Sequence, residues 1–413
     1  MKIVVVVDSI NIEDSSGSKA NVALIHNLAE AGFEVLVYHY TLREIQLEGV
    51  SCYAIPEIKY SPLYFLSRLQ RVLARKLNWN LMPFLEKRFG FSFTFFNDTN
   101  SIVKALKKLT YQPDLIITLS KGSSFRPHYA LLKIPELHDK WMAYVHDPYP
   151  FHYYPRPYTW VEPGYDKKEI FFRKVSEKAK YSAFPSQLLK EWMESYYPVF
   201  LTTGVVIPHQ NGKYKSTDIA NPDYFDGSKF NVLHAGNLMK QRSPKGLIEG
   251  FELFLKNNPE AKKDAKLLLI GPASYHVKML DDFQEYSPNL YIYNRRVSFD
   301  VVNHLQMKVA VNVILESKSE ISPFLPAKFP HCVDANKPIL SLAPYYSETK
   351  RLLGNEYVYW TEADNVEKIG GLVEKLYLLW KQNPDKLQLN RSDLVDYLSS
   401  EYLKNRINGL QNY

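Results

Sequence analysis

Cysteine is almost missing from this chain: Cys52 and Cys332 are the only two among 413 residues. Two thiols so far apart in sequence make neither a disulfide framework nor a metal-ligand spacing, and they suit a reducing compartment. Long apolar runs are missing too. A membrane-crossing helix needs about 18 consecutive apolar residues, whereas runs such as 3–7 and 267–270 are strand-sized. The N-terminus offers a lone Lys2 followed directly by a strand pattern, with no small-residue cleavage site. That argues against a signal peptide and for a cytoplasmic protein. Ser15-Ser16-Gly17-Ser18 supplies a single glycine where a dinucleotide fingerprint needs G-x-G-x-x-G, so a plain dinucleotide dehydrogenase is disfavoured. No Asp-x-Asp stands at a strand end and no His/Cys cluster has metal spacing, so neither a metal nor another cofactor is expected. Internal repeats and low-complexity segments are also lacking.

What is present belongs to a folded protein of two or three domains. Hydrophobic residues make up 46% and charged residues 23%, the balance of a globular chain. The net charge is +7, and its placement is uneven. Between residues 59 and 88, Lys59, Arg68, Arg71, Arg75, Lys76, Lys87 and Arg88 face one acid, Glu86. They are interleaved with Tyr60, Phe65, Leu69, Trp79, Phe84 and other apolar residues. Basic side chains on an apolar, aromatic helical segment suit docking on an anionic membrane surface. The alternative is an ordinary surface helix with one buried face and one solvated basic face. No recognition motif accompanies the patch, so no nucleic-acid partner is expected.

Strand and helix patterns alternate along the chain. Strands are expected at 2–7, 34–40, 114–119, 141–146, 181–184 and 202–207, and helices at 20–31, 101–109, 124–132, 167–178 and 186–196. The stretch 210–228 is polar and rich in turn residues, which reads as an inter-domain region. A second alternating unit follows, with strands at 230–235, 266–270, 290–293, 310–315, 338–342 and 357–360. Its helices are expected at 244–256, 274–285, 299–307, 327–335, 347–353 and 366–382, ahead of a helical tail from 391. The fold class is therefore α/β, with two doubly wound Rossmann-like domains at 1–207 and 208–390 facing across a cleft. The tail, 391–413, is expected to pack back on the N-terminal domain.

The sharpest chemical signal is Ser322-Pro323-Phe324-Leu325-Pro326-Ala327-Lys328, a polar loop leading into a helix start that carries a lysine. In a doubly wound domain that order brings the lysine and free backbone N–H groups to the carboxyl edge of the sheet, where phosphates bind. His234-Ala235-Gly236-Asn237-Leu238 ends an earlier strand of the same domain, and Arg242-Ser243-Pro244-Lys245-Gly246 opens the next helix. Gly236 lets the backbone pass close to a ligand, while Arg242, Lys245 and Lys328 converge as a cationic site. In the N-terminal half, Gly17 could let its loop approach a phosphate or sugar, or the helix could simply be capped by Ser18. His146-Asp147 ends a strand ahead of an aromatic run from Tyr149 to Trp160. Such a histidine is either a satisfied core residue or part of a sugar site.

These residues resemble the retaining, GT-B-fold glycosyltransferases of the large family 4 type found in bacterial polysaccharide assembly. The matching stretches are 234–246, 267–271 and 322–340, with 17–35, 145–150 and 206–209 in the N-terminal half. The resemblance implies that Arg242 and Lys245 hold a donor diphosphate. Lys328, with the backbone of Ser322, Pro323, Phe324 and Leu325, would bind phosphate or the leaving nucleotide. Gly17, Gly236 and Asn237 would lie against the donor, and His146 would face the transferred sugar with Asp147 orienting it or the acceptor. The family's two glutamates fall on Pro323 and His331, and neither is acidic here. His331 would then meet the ribose.

The function implied is a metal-independent glycosyltransferase that moves a sugar from a UDP-linked donor to a glycan or lipid-linked acceptor of the cell envelope. Its place would be the cytoplasm, peripheral on the inner face of the membrane through 59–88. A nucleotide-sugar epimerase on the same fold and a non-catalytic nucleotide-sugar or glycan-binding protein are the alternatives.

Overall fold

The structure is a computed structural model that describes residues 1–122, 124–212 and 219–412. Part of the expected inter-domain stretch, 213–218, and Tyr413 of the tail lie outside the described residues. The chain forms two units. The first comprises Met1–Tyr154, Thr159–Gly212 and the C-terminal segment from Leu398. The second comprises Pro155–Tyr158 and the chain through Tyr397. The divisions thus fall at Gly212 and Leu398, a few residues beyond the 207 and 391 read from sequence.

The first unit is built on a seven-stranded sheet. Its strands are β1 (Lys2–Val7), β2 (Glu34–His39), β3 (Ser51–Ala54), β4 (Leu115–Leu119), β5 (Trp141–Tyr144), β6 (Tyr181–Phe184) and β7 (Gly204–Val206). They run parallel in the order β3-β2-β1-β4-β5-β6-β7. The β-branched run of β1 explains its central place. Ile3, Val5 and Val7 enter one core layer while Val4 and Val6 enter the other, as the two-residue period of a strand buried on both faces requires. Strand β3 was not anticipated from sequence. It has four residues at the sheet edge, too few for a clear alternation.

Two helices of this unit begin four or more residues earlier than expected, and capping explains both. Helix Ser16–Glu30 starts at Ser15, whose hydroxyl accepts from the Ser18 N–H at 3.1 Å, so the cap is Ser15 and not Ser18. Helix Phe93–Leu106, expected from 101, is capped by Ser92, and Phe95 of its first turn stacks on Phe91 at 4.0 Å. The C-terminal helix Ser400–Asn408 buries Leu403 and Ile407 against the β-sheet layer that contains Ile3 and Val5. Tyr181 Oη donates to Leu410 O at 2.8 Å beside it.

The region 59–88 forms helices Pro62–Lys76 and Met82–Phe89. The first inverts the usual amphipathic arrangement. Its buried residues are Ser67 and Gln70, while Phe65 is 62% and Leu69 53% exposed. Trp79 and Phe84 are also exposed, at 63% and 68%. Among the described residues no helix is long and apolar enough to cross a membrane.

The second unit has a six-stranded parallel sheet. Its strands are β8 (Phe230–Ala235), β9 (Ala265–Ile270), β10 (Leu290–Tyr293), β11 (Val311–Leu315), β13 (Ile339–Leu342) and β15 (Trp360–Thr361). A two-residue pair, β12 (Ile321–Ser322) and β14 (Tyr346–Ser347), lies apart from it. The order is β10-β9-β8-β11-β13-β15, so the winding reverses between β8 and β11. In the first unit it reverses between β1 and β4. Crevices outside strand ends at such reversals are where ligands of doubly wound sheets bind. The last strand sits at 360–361 instead of 357–360, because Tyr357 turns its hydroxyl into the edge of β13, donating to Ile339 O at 2.8 Å.

Helix Lys245–Asn257 packs on helix Val366–Gln382 through glycine. A Cβ on Gly250 would lie 2.5 Å from Ile369 Cγ2. Alanine in an exposed helix interior stabilises by about 1 kcal/mol over glycine, but here the missing side chain is the space the partner helix occupies. Gly250→Val is therefore expected to destabilise the protein by about 1–3 kcal/mol in chemical denaturation, whereas solvent-facing Gly371→Ala is expected to be neutral or stabilising.

Candidate functional site

The carboxyl ends of β8 and β11 hold the most unusual electrostatics of the second unit. Past β8 the chain passes through Gly236, whose N–H donates to Ile270 O at 2.8 Å. A Cβ at Gly236 would stand 2.7 Å from Lys328 Nζ. The absent side chain thus lets the lysine amine approach the backbone at Gly236. Lys328 as a residue is half-buried, yet its Nζ reaches no solvent and has no hydrogen-bond partner among the described residues. Burial first, and the nearby Arg242 second, lower its pKa from the usual lysine value to about 7.

Arg242 projects toward the same place. Its Nη1 donates to Asn237 O at 3.4 Å, and its Nε is buried without a partner. His234 is fully buried nearby, and neither ring nitrogen makes a well-formed hydrogen bond among the described residues. Burial, Lys328 and Arg242 push its pKa well down, so it is a neutral imidazole. Glu316, just past β11, is a nearby acid, but its Oε2 accepts from the Ser322 hydroxyl and the Thr349 hydroxyl also acts on the carboxylate. Burial pushes its pKa up, against the opposing Ser322 hydroxyl and Arg242 charge. Two cations are thus held close together at a strand-order reversal, with no direct carboxylate contact for the lysine. An unpaired buried ammonium costs several kcal/mol, and a bound dianion is the group that removes the cost.

The remaining sequence candidates of this unit occupy varied places. Lys245 is exposed, with its ammonium 3.6 Å from Glu249 one helical turn on, and Asn237 offers its carbonyl to Arg242. Ser322 is buried and spends its hydroxyl on Glu316; Pro323 and Leu325 are buried, and Phe324 is half-buried. The expected helix from 327 is only Phe329–Asp334, six residues, with Lys328 as its N-cap. So short a helix has little macrodipole, and the lysine side chain is the positive group at this position. His331 sits on that helix, buried, with its ring 5.1 Å from Phe299.

In the first unit, His146 lies two residues past β5 and is buried. Asn21 Nδ2 donates to Ser120 O at 3.2 Å, which turns Asn21 Oδ1 toward His146 Nε2 at 2.7 Å. The proton therefore sits on Nε2, and Nδ1 is a buried acceptor without a partner. Burial, then His209 stacked at 5.3 Å and His128, push the pKa of His146 well down. Burial raises Asp147 to about 6, with Tyr154 opposing through a hydrogen bond. Gly17, second residue of its helix, lies beside Lys121.

Sequence reading missed a network at the β1 and β4 ends: Asp8, Ser124, Arg126, Asp98 and Tyr40. Asp8 alone carried a signal, as the first polar residue after a buried strand. Asp98 and Arg126 reach it only through tertiary folding.

No protein-family model matches the chain, and no curated protein matches it in sequence. Solved structures do match, along almost their whole length. A UDP-forming α,α-trehalose-phosphate synthase from Burkholderia xenovorans is 11% identical, with 99% of this chain and 98% of that chain covered and a TM-score of 0.63. The E. coli trehalose-6-phosphate protein bound with UDP-2-fluoro glucose is 11% identical, with 100% and 99% covered and a TM-score of 0.61. Anabaena HepE in complex with UDP and glucose is 10% identical, with 100% and 98% covered and a TM-score of 0.56. At such identity the likeness establishes the fold: two doubly wound α/β units in one chain, as in GT-B proteins.

Replacing Lys328 by Met keeps the packing volume and removes the unpaired charge. Lys328→Met is expected to stabilise the ligand-free protein by roughly 1–3 kcal/mol at pH 6. The folded pKa of about 7 lies below the unfolded lysine value, so the unfolded state binds the extra proton between them. Wild-type stability should therefore rise relative to the variant from about pH 7 toward pH 10, closing the gap. Thermal melts of both proteins across that range check the sign.

Proposed function

We propose that the protein is a retaining, metal-independent glycosyltransferase of the family 4-like type that uses a UDP-linked sugar. The observation that carries this reading is the unpartnered Lys328 Nζ beside Arg242 at the β8/β11 reversal. When the glycosidic C–O bond of the donor breaks, negative charge grows on the departing diphosphate. Preorganised cations in a water-poor site stabilise that charge most where it develops. The diphosphate also restores full protonation of Lys328, so the lysine is neutral or charged as the site empties or fills. Gly236 leaves the space that Lys328 uses to reach the diphosphate, and His331 with the 322–325 backbone meets the nucleoside. The retaining stereochemistry comes with the sequence resemblance: the acceptor hydroxyl attacks the face from which UDP leaves. His146 Nδ1 serves as an acceptor for a hydroxyl of the transferred sugar, with Asp147 beside it in sequence. UDP as the nucleotide is supported by the fold-mates solved with UDP or a UDP-sugar.

The acceptor in this reading is a glycan or lipid-linked intermediate of the cell envelope, met at the inner face of the membrane. The helices Pro62–Lys76 and Met82–Phe89 support it. Exposed Phe65, Leu69, Trp79 and Phe84 can enter the interface, and exposed Arg75, Lys76, Lys87 and Arg88 face acidic headgroups.

Calorimetry against UDP, GDP and ADP tests the donor site. UDP should bind in the micromolar range, unaffected by EDTA, and Lys328→Met and Arg242→Ala should each weaken it at least tenfold. Failure of all three nucleotides to bind, or full affinity in both variants, would remove the basis of the proposal. Vesicle sedimentation tests the surface. Changing Arg75, Lys76, Lys87 and Arg88 to Glu should cut binding to phosphatidylglycerol vesicles at least tenfold in 0.1 M salt; unchanged binding excludes a membrane role for these helices.

A further inference from the structure

The Asp8–Arg126–Asp98 network sits at the strand-order reversal of the first unit, and packing alone does not account for it. Asp8 follows β1 directly, and its side chain is only 8% exposed. Its Oδ2 accepts from the Ser124 hydroxyl and lies 3.5 Å from Arg126 Nη1. Arg126 Nη1 also donates to Ser124 Oγ at 2.7 Å, and its Nε lies 3.0 Å from Asp98 Oδ2. Tyr40 Oη donates to Asp98 Oδ1 at 2.9 Å. Each residue of the network is thus tied to a neighbour, with Arg126 Nε held to Asp98 by charge without an aligned hydrogen bond. Asp8 Oδ1 is buried and has no donor among the described residues. A buried acceptor without a donor is destabilising, and a ligand hydroxyl that donates to it removes that cost. The Arg126 side chain as a whole is 28% exposed, so the network is not sealed from solvent, although its Nε is buried.

The charge balance selects the ligand. Arg126 faces two carboxylates, so the network has no cation left over for a phosphate, and a phosphate placed there would meet Asp8 Oδ1 head on. A hydroxyl group fits both needs: it donates to Asp8 and accepts from a guanidinium N–H. We propose that this network binds an uncharged sugar, whose neighbouring hydroxyls contact Asp8 Oδ1 and Arg126. Taking that sugar to be the acceptor rests on the glycosyltransferase reading above; the binding site itself does not. The inference separates this chain from a fold-mate solved with glucose-6-phosphate, the synthase from Burkholderia xenovorans.

Saturation-transfer NMR on the full chain, with methyl glucoside, methyl galactoside, methyl mannoside and glucose 6-phosphate in the presence of UDP, tests it. At least one neutral hexoside should bind, at least tenfold tighter than glucose 6-phosphate. Asp8→Asn should weaken that binding at least tenfold and leave UDP affinity unchanged. Tighter binding of glucose 6-phosphate, no binding of any neutral hexoside, or unchanged binding in a folded Asp8→Asn protein would overturn the inference. Should the variant not fold, the wild-type preference for neutral over phosphorylated sugar decides. UDP binding without hexoside binding overturns this inference alone, whereas hexoside binding without UDP binding overturns the donor-site reading alone.

Discussion

One constraint organises the second unit: the amine of Lys328 is held away from water with no hydrogen-bond partner among the described residues. Lys328 Nζ lies 2.7 Å from where a Cβ at position 236 would stand, so a side chain there would have to displace it. Gly271 in turn must lack a side chain, since its Cβ would lie 2.4 Å from Gly236 O. His234 stays neutral below the lysine, and Ser322 holds Glu316 so that this acid does not close on it. Each feature is unfavourable or neutral for stability taken singly. Together they keep a cationic pair open at the edge of a rigid parallel sheet, which is how preorganisation for an anion is achieved.

The first unit answers with a different chemistry at the equivalent place. Its strand-order reversal carries neutral His146 tied to Asn21, a compensated Asp8–Arg126–Asp98 network, and Lys121 paired with Asp14. One unit thus suits phosphate and the other suits hydroxyl groups. This division of labour follows from which side chains stand at the carboxyl ends of two similarly wound sheets, not from the fold itself. Solved proteins of the same fold at 10–11% identity show how far sequences can diverge while the winding persists.

Much of the architecture was legible because the long signals are local. The β-branched run of β1, the glycine stop after helix Ser16–Glu30 and the 3.6-residue pattern of helix Val366–Gln382 each state their own conformation. Short elements were less legible: β3 has four residues at an edge, and helix Phe329–Asp334 is shorter than its apolar pattern suggested. Within the site, Arg242, Lys328 and Gly236 were identifiable singly. That Lys328 fills the space at Gly236 was not, since a strand order of β9-β8-β11 makes that contact and no local pattern encodes it. Lys245 shows the converse. It has the right residue type at the right helix start, but its ammonium turns to Glu249, a partner available in any surface helix.

The central claim is that Lys328 gains a proton when a diphosphate arrives. Calorimetry of UDP binding at pH 8 in two buffers of different ionisation enthalpy measures that proton directly. With a free pKa of about 7, the wild-type protein should take up about one proton per UDP bound, and Lys328→Met should take up almost none. UDP binding with no proton uptake in the wild type, or with the same uptake in the variant, would contradict the account.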